Sequence, residues 1–185
     1  MSLPPIIAFT GLAQSGKTLA ASFFTNAERI SLADPLKAML KVLTSDSDKN
    51  VPQLSLCGKT LRYALQTLGT EWGRNMIGEN LWVEHARQRI RCLLEDNWVQ
   101  PSNTNLVTID DVRFDGEAEM VRNMGGIIIH IRRPGIDKMS HASEQGIDPA
   151  LVDFWVTAET PEELACELQR IGLLEPTQQT VFADE

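Results

Sequence analysis

Residues 11–18 read Gly11-Leu12-Ala13-Gln14-Ser15-Gly16-Lys17-Thr18, a Gly-x-x-x-x-Gly-Lys-Thr loop, and few octapeptides leave a chain so little choice of fold. The apolar run Ile6-Ile7-Ala8-Phe9 just before it predicts a short buried strand, and Leu19, Ala20, Phe23 and Ala27 behind it keep helical spacing. Glycines let such a strand-to-helix turn curl into a nest of backbone N–H groups, and the helix adds the positive end of its dipole. Lysine can then bridge β and γ phosphates, while the Ser/Thr hydroxyl meets Mg²⁺. Gly11, Gln14, Ser15, Gly16, Lys17 and Thr18 are therefore the expected contacts of a nucleoside triphosphate, with Thr18 also a metal ligand. The loop does not say what is done with that nucleotide.

The rest of the chain continues the alternation. Residues 29–33 predict a second short strand, and Asp34-Pro35 reads as an N-cap followed by proline at the first helical position. Leu36, Met39, Leu40 and Leu43 form the apolar stripe of that helix. Residues 44–58, including Ser45-Asp46-Ser47, read as a polar surface excursion. A helix from about Thr60 carries Leu61, Leu65 and Leu68 and is expected to stop at Gly69. A long helix follows over about 79–96, then a turn-rich linker over 100–105. Strands are expected at 106–112, 127–131 and 152–157, and helices at 117–124 and behind the capping box Thr160-Pro161-Glu162-Glu163. Short unbroken apolar strands separated by helices predict an α/β fold, a parallel sheet covered on both faces.

Length and charge narrow the function. A chain of 185 residues suits a single domain over about 1–175, with a tail beyond it. With 25 acidic against 17 basic residues the net charge is −8, and no basic stripe is available to displace counterions from a nucleic-acid polymer. No apolar run nears the roughly 20 residues of a membrane helix, and the start lacks the pattern of a signal peptide. Cys57, Cys92 and Cys166 are too scattered for a zinc site or a disulfide framework. A cytoplasmic protein acting on small anions is the expectation.

Several charged residues lie where such a fold gathers its ligands. Asp110-Asp111 close a strand, and one of the two would hold the metal through water; the register that decides which is not legible, and the metal role is placed on Asp111. Arg113 brings a cation to the same strand end. In Leu68-Gly69-Thr70-Glu71-Trp72-Gly73-Arg74, Arg74 can grip a phosphate bidentately and Trp72 can wall a base pocket. Arg132-Arg133-Pro134-Gly135 opens an irregular stretch containing His141 and Glu144, suited to a flap that closes over phosphates. Asp34 serves either as a helix cap or as an acceptor for a substrate. Arg87, Arg89 and Arg91 alternate around their helix and read as a solvated face.

Taken together, these blocks resemble the bacteriophage-type deoxynucleoside monophosphate kinases. The resemblance is carried by residues 11–18, Ser31-Leu32-Ala33-Asp34-Pro35-Leu36-Lys37, the stretch from Leu65 to Arg74, Asp111-Val112-Arg113-Phe114, Ile131-Arg132-Arg133-Pro134-Gly135 and His141-Ala142-Ser143-Glu144. It implies a three-layer P-loop kinase fold with a five-stranded parallel sheet, a substrate-binding helical insertion over about 44–100 and a lid-like segment over about 132–149. It also implies transfer of the γ-phosphoryl group of ATP to a deoxynucleoside monophosphate, with Mg²⁺. Lys17, Arg113, Arg132 and Arg133 would then be catalytic, and Asp34, Lys37, Trp72, Arg74, Asp111 and Arg113 would meet the acceptor. Relatives commonly have Pro-Asn after Asp-Val-Arg-Phe, where this chain has Asp115-Gly116, and Asp110 is an additional acid.

An acceptor phosphate is already a nucleophile, so phosphoryl transfer needs positioning and cations rather than a general base. The competing readings are a P-loop kinase for another small acceptor, such as dephosphocoenzyme A, and a nucleotide-binding module without turnover. The expected partners are ATP and a deoxynucleoside monophosphate, for a monomer or homodimer.

Overall fold

The computed structural model describes residues 3–44, 48–96, 106–136 and 146–175. Expectations for Ser45-Asp46-Ser47, for the linker over 100–105, for His141 and Glu144, and for the tail from 176 lie outside the described residues. In chain order the elements are β1 (Ile6–Thr10), α1 (Lys17–Ser22), β2 (Glu28–Ile30), α2 (Asp34–Lys41), β3 (Pro52–Gln53), β4 (Lys59–Thr60) and α3 (Leu61–Thr67). A π-helix (Leu68–Ile77) continues α3, and then come α4 (Leu81–Asp96), β5 (Val107–Val112), α5 (Asp115–Asn123), β6 (Ile127–Arg132), β7 (Phe154–Thr157) and α6 (Pro161–Arg170). They pack as two compact units, one made of Ser31–Arg89 and the other of the chain on either side of it.

The flanking unit holds a five-stranded sheet in the order β2-β5-β1-β6-β7, every neighbouring pair parallel. The central strand β1 is buried at all five positions, which is why its sequence shows no polar alternation. Ile7, Phe9, Ile129, Ile131 and Val156 meet Ala20, Ala21 and Phe24 of the α1 region and Leu164 and Leu168 of α6 in one core. Ala118, Met120 and Val121 of α5 are equally buried but stand outside that cluster. With α5 packed on β6, they cover the other face of the sheet. The result is the three-layer α/β fold expected from the sequence. Glu163 lies in the first turn of α6, and its N–H is capped by Thr160 Oγ1 at 3.2 Å.

The register between β1 and β5 contains one irregularity with consequences for function. Ala8 faces Ile109 and Thr10 faces Val112, so the single residue Phe9 stands opposite both Asp110 and Asp111. This is a β-bulge, which re-aims side chains at a strand end.

Ser31–Arg89 contains α2, the antiparallel pair β3 and β4, α3, the π-helix and the start of α4. Three local expectations need correction here. The second strand ends at Ile30, and Asp34 is the first residue of α2 rather than its N-cap, which is Ala33. The helix from Thr60 does not stop at Gly69 but widens into the π-helix. Gly69 keeps no left-handed backbone. Its missing side chain instead makes room for Leu36, whose Cδ2 would stand 2.9 Å from a Cβ there.

Candidate phosphate site and acceptor unit

Between β1 and α1 the loop takes the shape that its glycines permit. Gly11, Gln14 and Gly16 have φ of +135°, +64° and +100°, so the backbone repeatedly turns through the left-handed region. A Cβ on Gly11 would overlap the carbonyl oxygen of Ile131 in β6, so the loop is laid directly on the neighbouring strand. Lys17 is buried, and its ammonium donates to the carbonyls of Gly11 at 2.9 Å and Leu12 at 2.5 Å. Ser15 Oγ is buried without a hydrogen-bond partner. A buried hydroxyl left without a partner costs about 1–3 kcal/mol, which an oxyanion in the loop would recover.

Thr18 Oγ1 donates to Asp110 Oδ2 at 3.0 Å. The bulge thus brings Asp110, one of the two carboxylates between which the sequence leaves the metal role open, to Thr18. Asp110 is 8% exposed and Asp111 half-buried. A hydroxyl and a carboxylate oxygen are the hard donors Mg²⁺ takes while keeping other positions for water and phosphate, so the residues present fit that ion. Among the described residues no group of three or more His, Cys, Asp or Glu could hold a metal ion by itself.

At the end of β5, Glu117 is 4% exposed, and its Oε2 accepts from the N–H groups of Arg113 at 2.8 Å and Phe114 at 3.1 Å. This pins the backbone that presents Arg113. The Asp115-Gly116 step opens α5, and Asp115 Oδ1 accepts from the N–H of Asp148 at 2.7 Å. Arg132 and Arg133 are exposed at the end of β6. His130, in register with Thr10, stacks on Trp155 with ring centroids 4.4 Å apart. Burial, followed by the charges of Lys17 and Arg132, holds its pKa below the ordinary 6.5.

The Ser31–Arg89 unit carries the other expected residues. Asp34 Oδ2 accepts from the Ser31 N–H at 3.0 Å and from Arg89 Nη1 at 3.2 Å, and Oδ1 meets Lys37 Nζ at 3.3 Å. Partial burial alone would raise the Asp34 pKa, but the Ser31 N–H, Lys37 and Arg89 outweigh it and hold the carboxyl below its usual range. Arg89 is thus bound to Asp34 instead of lying on a purely solvated face. Trp72 and Arg74 sit on the π-helix, Trp72 exposed and Arg74 half-buried.

Sequence reasoning offered Asp110 as one of two candidates and missed Arg89, Glu117 and His130. Of these three, only Glu117 left a signal, a glutamate three residues after the residue that precedes a helix, obscured because Phe114 cannot complete a capping box.

The match to the family model for deoxynucleotide monophosphate kinases covers residues 58–165. A protein of Acanthamoeba polyphaga mimivirus, provisionally named a deoxynucleotide monophosphate kinase, is 34% identical over 159 residues, covering 75% of this chain and 80% of the relative. The chain belongs to the deoxynucleotide monophosphate kinase family. Membership makes it a kinase, and the 58–165 match contains both the Trp72-Gly73-Arg74 block and the Asp111-Val112-Arg113-Phe114 block. Among solved structures, shikimate kinase from Bacteroides thetaiotaomicron is similar at a TM-score of 0.45 and 16% identity, covering 90% of this chain and 95% of that one. A provisionally named kinase from Chloroflexus aurantiacus is similar at 0.43 and 16%, covering 92% and 95%. The fold assignment rests on the strand order and loop geometry. No helix among the described residues is long and apolar enough to cross a membrane.

Proposed function

We propose that this chain transfers the γ-phosphoryl group of ATP to a deoxynucleoside 5′-monophosphate, giving the diphosphate and ADP. The observation that carries the reading is the Thr18–Asp110 pair at 3.0 Å beside a left-handed glycine loop whose Ser15 hydroxyl is buried and unpartnered. Such a cradle fits phosphate oxygens. Family membership supports a nucleotide as acceptor.

In this reading Gly11, Gln14, Ser15 and Gly16 present backbone N–H groups to the triphosphate. Lys17 exchanges its bonds to the Gly11 and Leu12 carbonyls for β- and γ-phosphate oxygens. Thr18 and Asp110 would hold Mg²⁺, which supplies charge neutralisation at the transferring phosphoryl group. Asp111 and Arg113 serve the acceptor side, and Arg132 and Arg133, at the start of the lid-like segment over about 132–149, add cations to the developing charge. The unit Ser31–Arg89, which contains much of the substrate-binding insertion expected over about 44–100, holds the acceptor. Arg74 grips its phosphate, Trp72 lies against its base, and Asp34 with Lys37 meets its sugar or phosphate.

The test is an ADP-release assay with Mg-ATP against the four deoxynucleoside monophosphates, with AMP and dephosphocoenzyme A as controls. Turnover dependent on a deoxynucleotide is expected. ATP binding without turnover on any deoxynucleotide would refute the acceptor assignment.

A further inference from the structure

The π-helix Leu68–Ile77 is ten residues long and carries both Trp72 and Arg74. π-Geometry is rare, arises mostly as single turns and is frequent at functional sites. Something must therefore support so long a stretch, and the support is Trp82, in the first turn of α4. Its indole is 7% exposed, and Nε1 donates to the carbonyl of Gly69 at 2.8 Å. The same rim of the ring packs on Gly73, where a Cβ would overlap Nε1 and stand 2.6 Å from Cε2 and 2.7 Å from Cζ2. Gly69 thus bonds the indole through its carbonyl, and Gly73 leaves the space that the same Nε1–Cε2–Cζ2 rim fills. The Trp72 ring, one residue before Gly73, has its centroid 6.1 Å from that of Trp82, tilted by 46°. The segment closes with the Gly78 N–H donating to Gly73 O at 3.0 Å, a five-residue π bond that begins at the residue Trp82 covers.

We infer that Trp82 is a positioning residue for the acceptor, setting the pitch of the π-helix so that Trp72 and Arg74 project as a pair. This rests on the proposed acceptor role of those two residues. It explains why a glycine stands at position 73, between the aromatic and the charged residue. At Gly73 any side chain would lift the indole from the backbone and release the turn that carries Arg74. A guanidinium that grips a phosphate bidentately tolerates little displacement of its backbone.

The test uses the full chain with three variants, Trp82→Phe, Gly73→Ala and the double substitution. Trp82→Phe keeps an aromatic ring but removes the N–H donor and shortens the rim on Gly73. A net hydrogen bond corresponds to about a two- to tenfold effect. The KM for the deoxynucleoside monophosphate is therefore expected to rise by about that factor in each single variant. The KM for ATP should stay within about twofold. The double variant should lose less than the product of the single effects, because the smaller ring leaves room for the new Cβ.

Equal shifts in both KM values, or multiplicative single effects, would show a merely structural tryptophan and overturn the inference. Amide hydrogen exchange gives a readout independent of turnover. In Trp82→Phe the amides of residues 69–78 should lose protection while those of β1 and β6 keep theirs, and unchanged protection over 69–78 overturns the inference. A wild-type chain that phosphorylates no deoxynucleotide would refute the acceptor reading and this role with it. A wild-type that turns over normally beside an unaffected Trp82→Phe would refute only the positioning role.

Discussion

Replacing Gly11 by alanine tests how far the phosphate loop depends on its seat against β6. Two costs add. At φ +135° an alanine sits in backbone territory that L-residues avoid, worth about 1–3 kcal/mol. Its Cβ would also overlap the Ile131 carbonyl oxygen, where a carbon needs about 3.3 Å. Ile131 belongs to β6, paired with β1 on one side and β7 on the other, so the strand cannot retreat without breaking its ladders. Overpacking of this kind costs about 1–3 kcal/mol more. The sum, roughly 2–6 kcal/mol, is a large share of the 5–15 kcal/mol typical of a folded domain. Gly16→Ala is the matched control. Its φ of +100° carries the backbone cost, but its Cβ would meet only Leu164 Cδ2 at 3.4 Å, an ordinary contact with a mobile methyl. Urea unfolding followed by circular dichroism should place the Gly11→Ala midpoint about 1 M below that of Gly16→Ala. Midpoints that coincide, or a lower one for Gly16→Ala, would show that the contact with β6 is not what demands glycine.

Asp110→Asn is expected to raise the Mg²⁺ concentration for half-maximal turnover at least about tenfold, as loss of a charged metal partner should, whereas Asp111→Asn should leave it within about twofold; a metal titration of both variants checks this, and the reverse order would return the metal role to Asp111. Glu117→Gln should cost about 1–3 kcal/mol, because the carboxylate that accepts two N–H groups is replaced by an amide that brings donors of its own; thermal unfolding measures it, and an unchanged midpoint would show that these two bonds contribute nothing. His130 should titrate below 6.5 by NMR, and Lys17→Met should move it upward by removing a neighbouring charge. Because the folded state binds this proton more weakly than the unfolded chain, His130 should reduce stability as pH falls below about 6.5, with the loss levelling off below its folded pKa. A His130→Gln variant that shows the same acid dependence would refute that assignment.

The phosphate loop, the parallel sheet and the order of the elements were legible because they depend on local chemistry. Ile6-Ile7-Ala8-Phe9 is apolar at every position since both faces of β1 are covered, and only glycine suits φ of +135° or +100° at residues 11 and 16. The blocks Trp72-Gly73-Arg74 and Asp111-Val112-Arg113-Phe114 are also legible in the sequence, and both lie inside the family match over 58–165.

Other features depend on distant neighbours. Asp110 and Asp111 are chemically identical, and a bulge opposite Phe9 decides which reaches Thr18. Gly69 looked like a helix stop because a glycine after an apolar stripe usually is one, yet its role is to clear space for Leu36. Arg89 looked solvated because helical spacing separates it from Arg87 and Arg91, and no spacing rule could find Asp34, 55 residues away. Sequence by itself determined that a strand, a left-handed glycine loop and a helix would follow one another over residues 6–22, since backbone dihedrals and hydrophobic periodicity are written locally. Tertiary structure alone decided which carboxylate meets the threonine and that an indole props the π-helix, because both depend on strand register and packing between residues that the chain does not place side by side.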